Sequence, residues 1–213
     1  MRGISVGLKY FAVYEDQTKQ LPESEDRNNT YVDKILKSQH YFYKTLEVEM
    51  EAIKSCHQIP LNRIQEAIDA LIQCKGKIIV CGLGKTGYVA QKFAATLCST
   101  GTQAVFLHAA EAAHGEAGII AKSDLCILIS HSGDSSEVAL VSEICRKQST
   151  KSMAITHNKN SIIAKNSTVS VIYPFAQEAD PLKIVPTAST TAALAICDGL
   201  AVVLMKQKNI QKD

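Results

Sequence analysis

Residues 78–87, IIVCGLGKTG, decide how this sequence folds: an apolar run ends in a glycine turn, and a helical pattern follows at once. A short apolar run bounded by glycine reads as a buried strand. Glycine, lysine and threonine at the turn into a helix read as a place for an anion. Gly82, Gly84 and Gly87 satisfy GxGxxG, the turn of a dinucleotide site. That site also wants an acidic residue at the tip of the second strand, which ends at His108 with Glu111 three residues on. A nucleoside triphosphate loop needs GxxxxGK[ST], and Ile79 stands where its first glycine belongs. What remains is a glycine turn offering backbone N–H groups, with Gly84 at its apex, Lys85 for charge and Thr86 for a hydroxyl. A lysine at the positive end of a helix is mildly unfavourable, which points to a use for it.

Outward from this turn the same rhythm repeats. KIIVCG precedes KTGYVAQKFAATLCST, QAVFLH precedes AEAAHGEAG, LCILIS precedes SSEVALVSEICRKQ, and SMAIT precedes SIIAKNS. VSVIYP then leads to a long helix from about Pro186 to Lys206. Alternating strands and helices predict an α/β fold, a parallel sheet of about five strands covered on both faces. Such sheets bind ligands at the carboxyl ends of their strands. Upstream, Tyr41, Leu46, Met50 and Ile53 trace a helical face, and Pro60 opens a second helix through Ile64, Ile68 and Leu71. Residues 1–30 mix charges without a period, so a flexible arm is expected there, followed by one domain over residues 31–213.

Composition excludes several classes. The 23 basic residues are dispersed among 21 acidic ones for a net charge of +2, so no nucleic-acid partner is expected. Seven cysteines without a CxxC pair read as buried, reduced thiols of a cytoplasmic protein. The start lacks the apolar run and cleavage site of a secretion signal. TASTTAALAICDGLAVVLM, residues 187–205, matches a membrane span in length but carries Asp198 near its middle. A central aspartate costs roughly 3 kcal/mol in a bilayer, so a buried helix and no membrane partner are expected.

The third strand ends in SHSGDSSE, residues 130–137. Four serines around a glycine can aim hydroxyls and N–H groups at one phosphate. The competing reading is a helix cap, with one serine capping and Glu137 closing a capping box. One cap does not need four hydroxyls.

GLGKTG, HAAEAAHGEAG, SHSGDSSE and EADPLKIVPTASTTAALAICDGLA together resemble the sugar isomerase (SIS) domain of arabinose-5-phosphate isomerases over about residues 40–208. The resemblance implies a flavodoxin-like three-layer αβα sandwich, a homotetramer and no cofactor. It implies an aldose–ketose isomerase that interconverts D-arabinose 5-phosphate and D-ribulose 5-phosphate, feeding the eight-carbon acid sugar (Kdo) of lipopolysaccharide or capsule. By the same resemblance Lys85, Glu137 and Glu178 are catalytic, and His114 binds substrate and helps open the sugar ring. Gly101 and Thr102 match a substrate-contacting pair, and His108 matches a position linked to a divalent metal. Thr187 and Ser189 start the last helix and are expected to reach the ligand, or else to cap that helix.

Isomerisation moves a proton between C1 and C2 through an enediol, which needs a carboxylate base and a cation for the developing oxyanion. Either glutamate serves as base in this scheme and Lys85 as the cation. Ser130, His131, Ser132, Ser135 and Thr86 form the cradle. Two carboxylates converging on one anion are expected to raise each other's pKa. His131 stands where the family usually has asparagine and Asp134 where it has glutamate, and a histidine beside the phosphate is expected to make binding depend on pH. Family members continue into an HPGG segment with a catalytic histidine, and many carry paired nucleotide-sensing modules. This sequence ends at Asp213 before that histidine, which implies a truncated sequence, impaired activity or His114 in its place. A phosphosugar sensor without catalysis, or an isomerase of another sugar phosphate, stays open.

Overall fold

In the computed structural model, residues 30–208 are described, with side chains from Ser38 onward. The expected arm over residues 1–30 lies outside them, save for Thr30, which opens the first helix. The chain divides into two units, Met1–Tyr41 and Phe42–Asp213, and the architecture that follows is that of the second.

Five strands form one parallel sheet: β1 (Ile78–Gly82), β2 (Ala104–His108), β3 (Leu125–Ile129), β4 (Lys151–Thr156) and β5 (Val169–Ile172). Their order across the sheet is β2-β1-β3-β4-β5, the flavodoxin order. IIVCG and LCILI are buried at every position, as strands covered on both faces must be. One face carries Ile78, Val80, Ile127, Ile129 and Ile155 against α2 (Leu61–Gln73), α3 (Gly84–Ser99) and α7 (Ala188–Gln207). The other carries Ile79, Cys81, Cys126 and Leu128 against α5 (Ser136–Gln148) and the short α4 (Ala109–Ala113) and α6 (Ile162–Asn166). Three layers result, as expected.

α7 is long and apolar enough to cross a membrane, and half of it is buried in the core instead. Asp198, the residue that argued against a membrane span, pairs with Lys92 of α3. The helix α1 (Thr30–Ser55) forms where the pattern predicts one. The apolar face traced in the sequence is solvent-facing: Leu46 and Ile53 are exposed and Met50 is 61% exposed. Ala52, between them, is what reaches the core. Helical periodicity shows that an apolar face exists, not what covers it. The stretch AEAAHGEAG is not one helix either. α4 stops at Ala113, Gly115 takes a φ of 116°, and a 3₁₀ turn follows over Glu116–Ile119. All seven cysteines are free; Cys81, Cys126, Cys145 and Cys197 are buried, whereas Cys98 is exposed at the outer side of α3, contrary to the uniform burial expected.

Candidate active site

The chain order reverses between β1 and β3, so the crevice at their carboxyl ends is the topological switch point of the sheet. The register aligns Gly82 with both His108 and Ile129. The segments after these three residues therefore start side by side. A fourth contribution comes from α7, which runs parallel to α3: Lys92 pairs with Asp198 near their middles, and Lys208 donates to Gly101 O and Thr102 Oγ1 beyond their ends. The starts of α3 and α7, with Lys85 and Glu178 beside them, thus lie at the same end of the sheet.

The three glycines of the turn have separate reasons. A Cβ on Gly82 would sit 2.7 Å from Thr86 O, and one on Gly87 would sit 3.4 Å from the backbone of Gly82, so these two allow the helix to close on the strand. Gly84 has a φ of 56° and open space around its missing Cβ, which leaves its backbone accessible to a ligand. Lys85 is exposed beside it. The Thr86 hydroxyl donates to Leu83 O at 2.8 Å, so it has to turn from that carbonyl to donate to a phosphate.

The serine segment does not cap α5. Ser135 sits at the N-cap without a side-chain bond to the helix, and its hydroxyl meets that of buried Ser130 at 3.2 Å. Ser130 also accepts from Gly133 N at 3.1 Å, and Ser132 from Asp134 N at 3.3 Å. No capping box forms, because Glu137 instead takes the hydroxyl of Ser136 at 2.9 Å. The start of α5 is left open to an anion. Gly133 holds the loop: its φ is 72°, and a Cβ would overlap Ser161 and come within 2.8 Å of Thr156 Oγ1. Gly133→Ala is expected to cost about 1–3 kcal/mol in stability and to weaken binding of inorganic phosphate. Thermal unfolding and calorimetry check this; an unchanged Tm with unchanged phosphate binding would mean that the loop does not depend on this glycine.

The carboxylates depart from expectation. Neither is raised. The Glu137 carboxyl is held below the ordinary range by its own backbone N–H and by Ser136. For Glu178, burial pushes the carboxyl up, and hydrogen bonds from Ser189 and Thr187 outweigh it and bring the group below the ordinary range. Glu178 Oε2 accepts from Thr187 N at 2.9 Å, Thr187 Oγ1 at 3.1 Å and Ser189 N at 3.2 Å. It therefore caps α7 in place of Thr187, the residue expected to do so or to reach a ligand. The Thr187 hydroxyl is fully used, accepting from Ala179 N at 2.9 Å as it donates to Glu178. Ser189 Oγ is buried with no hydrogen-bond partner.

The histidines scatter. His114 is exposed at the end of α4, on the site's side of the sheet. His108 Nδ1 is buried without a partner, a single donor atom. Among the described residues no group of three His, Cys, Asp or Glu side chains is placed to hold a metal ion, so the described residues around His108 do not fit the metal expected there. Gly101 and Thr102 precede β2 and lie at the amino end of the sheet, a strand length from the crevice, where Lys208 holds them. A five-residue strand spans roughly 15 Å, so within one chain this pair does not touch the same ligand.

His131 turns away from the serine hydroxyls. Its Nδ1 lies 2.9 Å from the Tyr173 hydroxyl, and its ring stacks on His157 at 5.4 Å and meets the edge of Phe175 at 4.3 Å. Burial, then His157, lowers its pKa. That shift moves the pH at which the ring gains its charge, and with it the expected pH dependence, to the acid side of a free imidazole. His157, Tyr173 and Phe175 were missed by sequence reasoning; their only signal is their position just past β4 and β5.

Comparison with known proteins agrees with this geometry. The model of the SIS domain matches residues 70–203. Arabinose 5-phosphate isomerase KdsD of Francisella tularensis is 38% identical over 172 residues, 79% of this chain and 53% of that protein. Arabinose 5-phosphate isomerase KpsF of Escherichia coli is 40% identical over 71% of this chain and 48% of its own length. The chain thus spans about half the length of the curated relatives it matches. A protein of Escherichia coli CFT073, solved in complex with arabinose 5-phosphate, superposes with a TM-score of 0.77 at 34% identity, over 86% of this chain and 95% of that one. With the flavodoxin strand order, the uncapped serine loop and the glycine turn in place, the chain belongs to the SIS domain family.

Proposed function

We propose that this chain is a phosphosugar aldose–ketose isomerase that interconverts D-arabinose 5-phosphate and D-ribulose 5-phosphate. The observation that carries the reading is the loop over residues 130–135, whose hydroxyls bond one another and Gly133 rather than cap α5. A dianionic phosphate is the ligand such a loop and helix start suit. The names of the relatives support the pentose phosphate, and the resemblance of the four motifs supports a place in making the eight-carbon acid sugar of lipopolysaccharide or capsule.

In this scheme the phosphate sits on Ser130, Ser132, Ser135 and the backbone at Gly84, with Thr86 beside it. His114 helps open the ring. Lys85 steadies the oxyanion that develops when the C2 proton leaves. Glu137 is the base, because its one side-chain partner is a hydroxyl that can rotate away. Glu178 holds the start of α7 and with it the rim of the site. The exposed Leu46, Met50 and Ile53 support self-association, as in a homotetramer, and the seven free thiols support a cytoplasmic setting.

The test is to incubate the chain with D-arabinose 5-phosphate and follow D-ribulose 5-phosphate. Turnover is expected, and Lys85→Ala is expected to lower kcat by about 10²–10³-fold. Saturable binding of the sugar phosphate without turnover would replace the isomerase by a sensor.

A further inference from the structure

The rings gathered at the ends of β3, β4 and β5 have a use in this reaction. Leu125, Ile127 and Ile129 of β3 face the core beneath α2, α3 and α7, whereas Cys126 and Leu128 face the core beneath α5. The same alternation brings His131 out on the side of α3 and α7, and its partner Tyr173 belongs to that core. Lys85 and Glu178 arrive from this side.

Tyr173 decides where the ring proton of His131 lies. The tyrosine is 1% exposed, and burial first, then the charge of Glu178, pushes its phenol up, so it keeps its proton. Among the described residues the acceptor for that proton is His131 Nδ1, 2.9 Å away. A proton on Nδ1 would make the phenol oxygen the acceptor and leave the buried phenol's own proton without a partner among the described residues. The neutral ring therefore carries its proton on Nε2. His157 donates from Nδ1 to Tyr173 O at 3.3 Å and stacks on His131, and Phe175 closes the other side, so the ring plane is held. Tyr173, His157 and Glu178 are the ionisable groups around the ring.

We propose that His131, oriented by Tyr173, is the neutral Nε2–H donor to the sugar oxygens O1 and O2 in the enediol step. The proposal rests on the isomerase reading. Glu137 takes the C2 proton, the C2–H pair becomes the C1=C2 bond, and the C1=O pair moves to O1, which takes the Nε2 proton. The ring then takes the O2 proton, the O2 pair forms C2=O, and C1 takes the proton back from Glu137. One hydrogen has moved from C2 to C1 and one from O2 to O1, with no oxidant or reductant. A neutral imidazole is matched to the weakly acidic enediol hydroxyls between which it works.

Imidazole nitrogen NMR of the full chain reads the tautomer directly. The Nε2–H form is expected for His131 in the wild type, and a mixture of tautomers in Tyr173→Phe. In turnover, His131→Ala is expected to lower kcat about 10²-fold with KM within threefold, and Tyr173→Phe about tenfold. An Nδ1–H tautomer in an active wild type, or His131→Ala within twofold of the wild type, overturns this role alone. A wild type without turnover of D-arabinose 5-phosphate overturns the isomerase reading and this role with it.

Discussion

Glu137→Gln is expected to lower turnover of D-arabinose 5-phosphate by about 10²–10⁴-fold, the range for loss of a general base. Glutamine keeps the size and the contact with Ser136 but cannot take a proton. Glu178→Gln is the informative partner. Its amide oxygen can still accept from Thr187 and Ser189, which anchor the present carboxylate. Turnover is expected to fall by no more than about tenfold, with a lower Tm from the lost charge at the start of α7. The reverse order of effects would move the base from Glu137 to Glu178. Parallel steady-state kinetics and thermal melts of the two variants decide it.

The second large effect is on stability. Asp124→Ala is expected to cost about 3 kcal/mol and, in a chain of this length, to lower Tm by roughly 6–12 °C. Asp124, 4% exposed, joins the turn before β1 to the turn before β3. Its carboxylate accepts from Lys77 Nζ at 2.6 Å, Lys77 N at 3.0 Å and Ala121 N at 2.9 Å. Lys77 is partly exposed and can turn to water, which keeps the loss at the low end for a broken buried pair. The two backbone donors are left unpaired. Burial raises the Asp124 carboxyl, but the bonds from Lys77 and Ala121 together bring it below its ordinary value. The contribution is therefore present above the unfolded value, about 3.9, and is lost as pH falls through the folded one. The gap in stability between the wild type and Asp124→Ala should narrow only in acid. A gap that stayed constant down to about pH 2, below the ordinary carboxylate range, would mean that the carboxylate's charge is not what stabilises these turns.

Much of this was legible beforehand. Strand β3 shows why: LCILIS is apolar at each of its first five positions, a pattern set by burial on both faces, and the serines that follow had to emerge at the carboxyl end. Gly82, Gly84 and Gly87 likewise marked a close turn, the first and last because a side chain would meet the backbone opposite and Gly84 because of its positive φ. The stripe on α1 was legible as a helix face but not as an exposed one, because periodicity carries no information about a partner.

By itself, then, the sequence determined the order of strands and helices, the end of the sheet at which the site lies and the anion-binding character of two turns. Each follows from contacts among neighbours in the chain, with periods of 2 and 3.6 residues. Only the tertiary structure decided that α3 and α7 run side by side, that Glu178 caps α7, that Gly101 and Thr102 lie at the far end of the sheet, and that His131 meets Tyr173. These join segments from 9 to 107 residues apart in the chain, and such pairings depend on how whole elements pack, which no local pattern records.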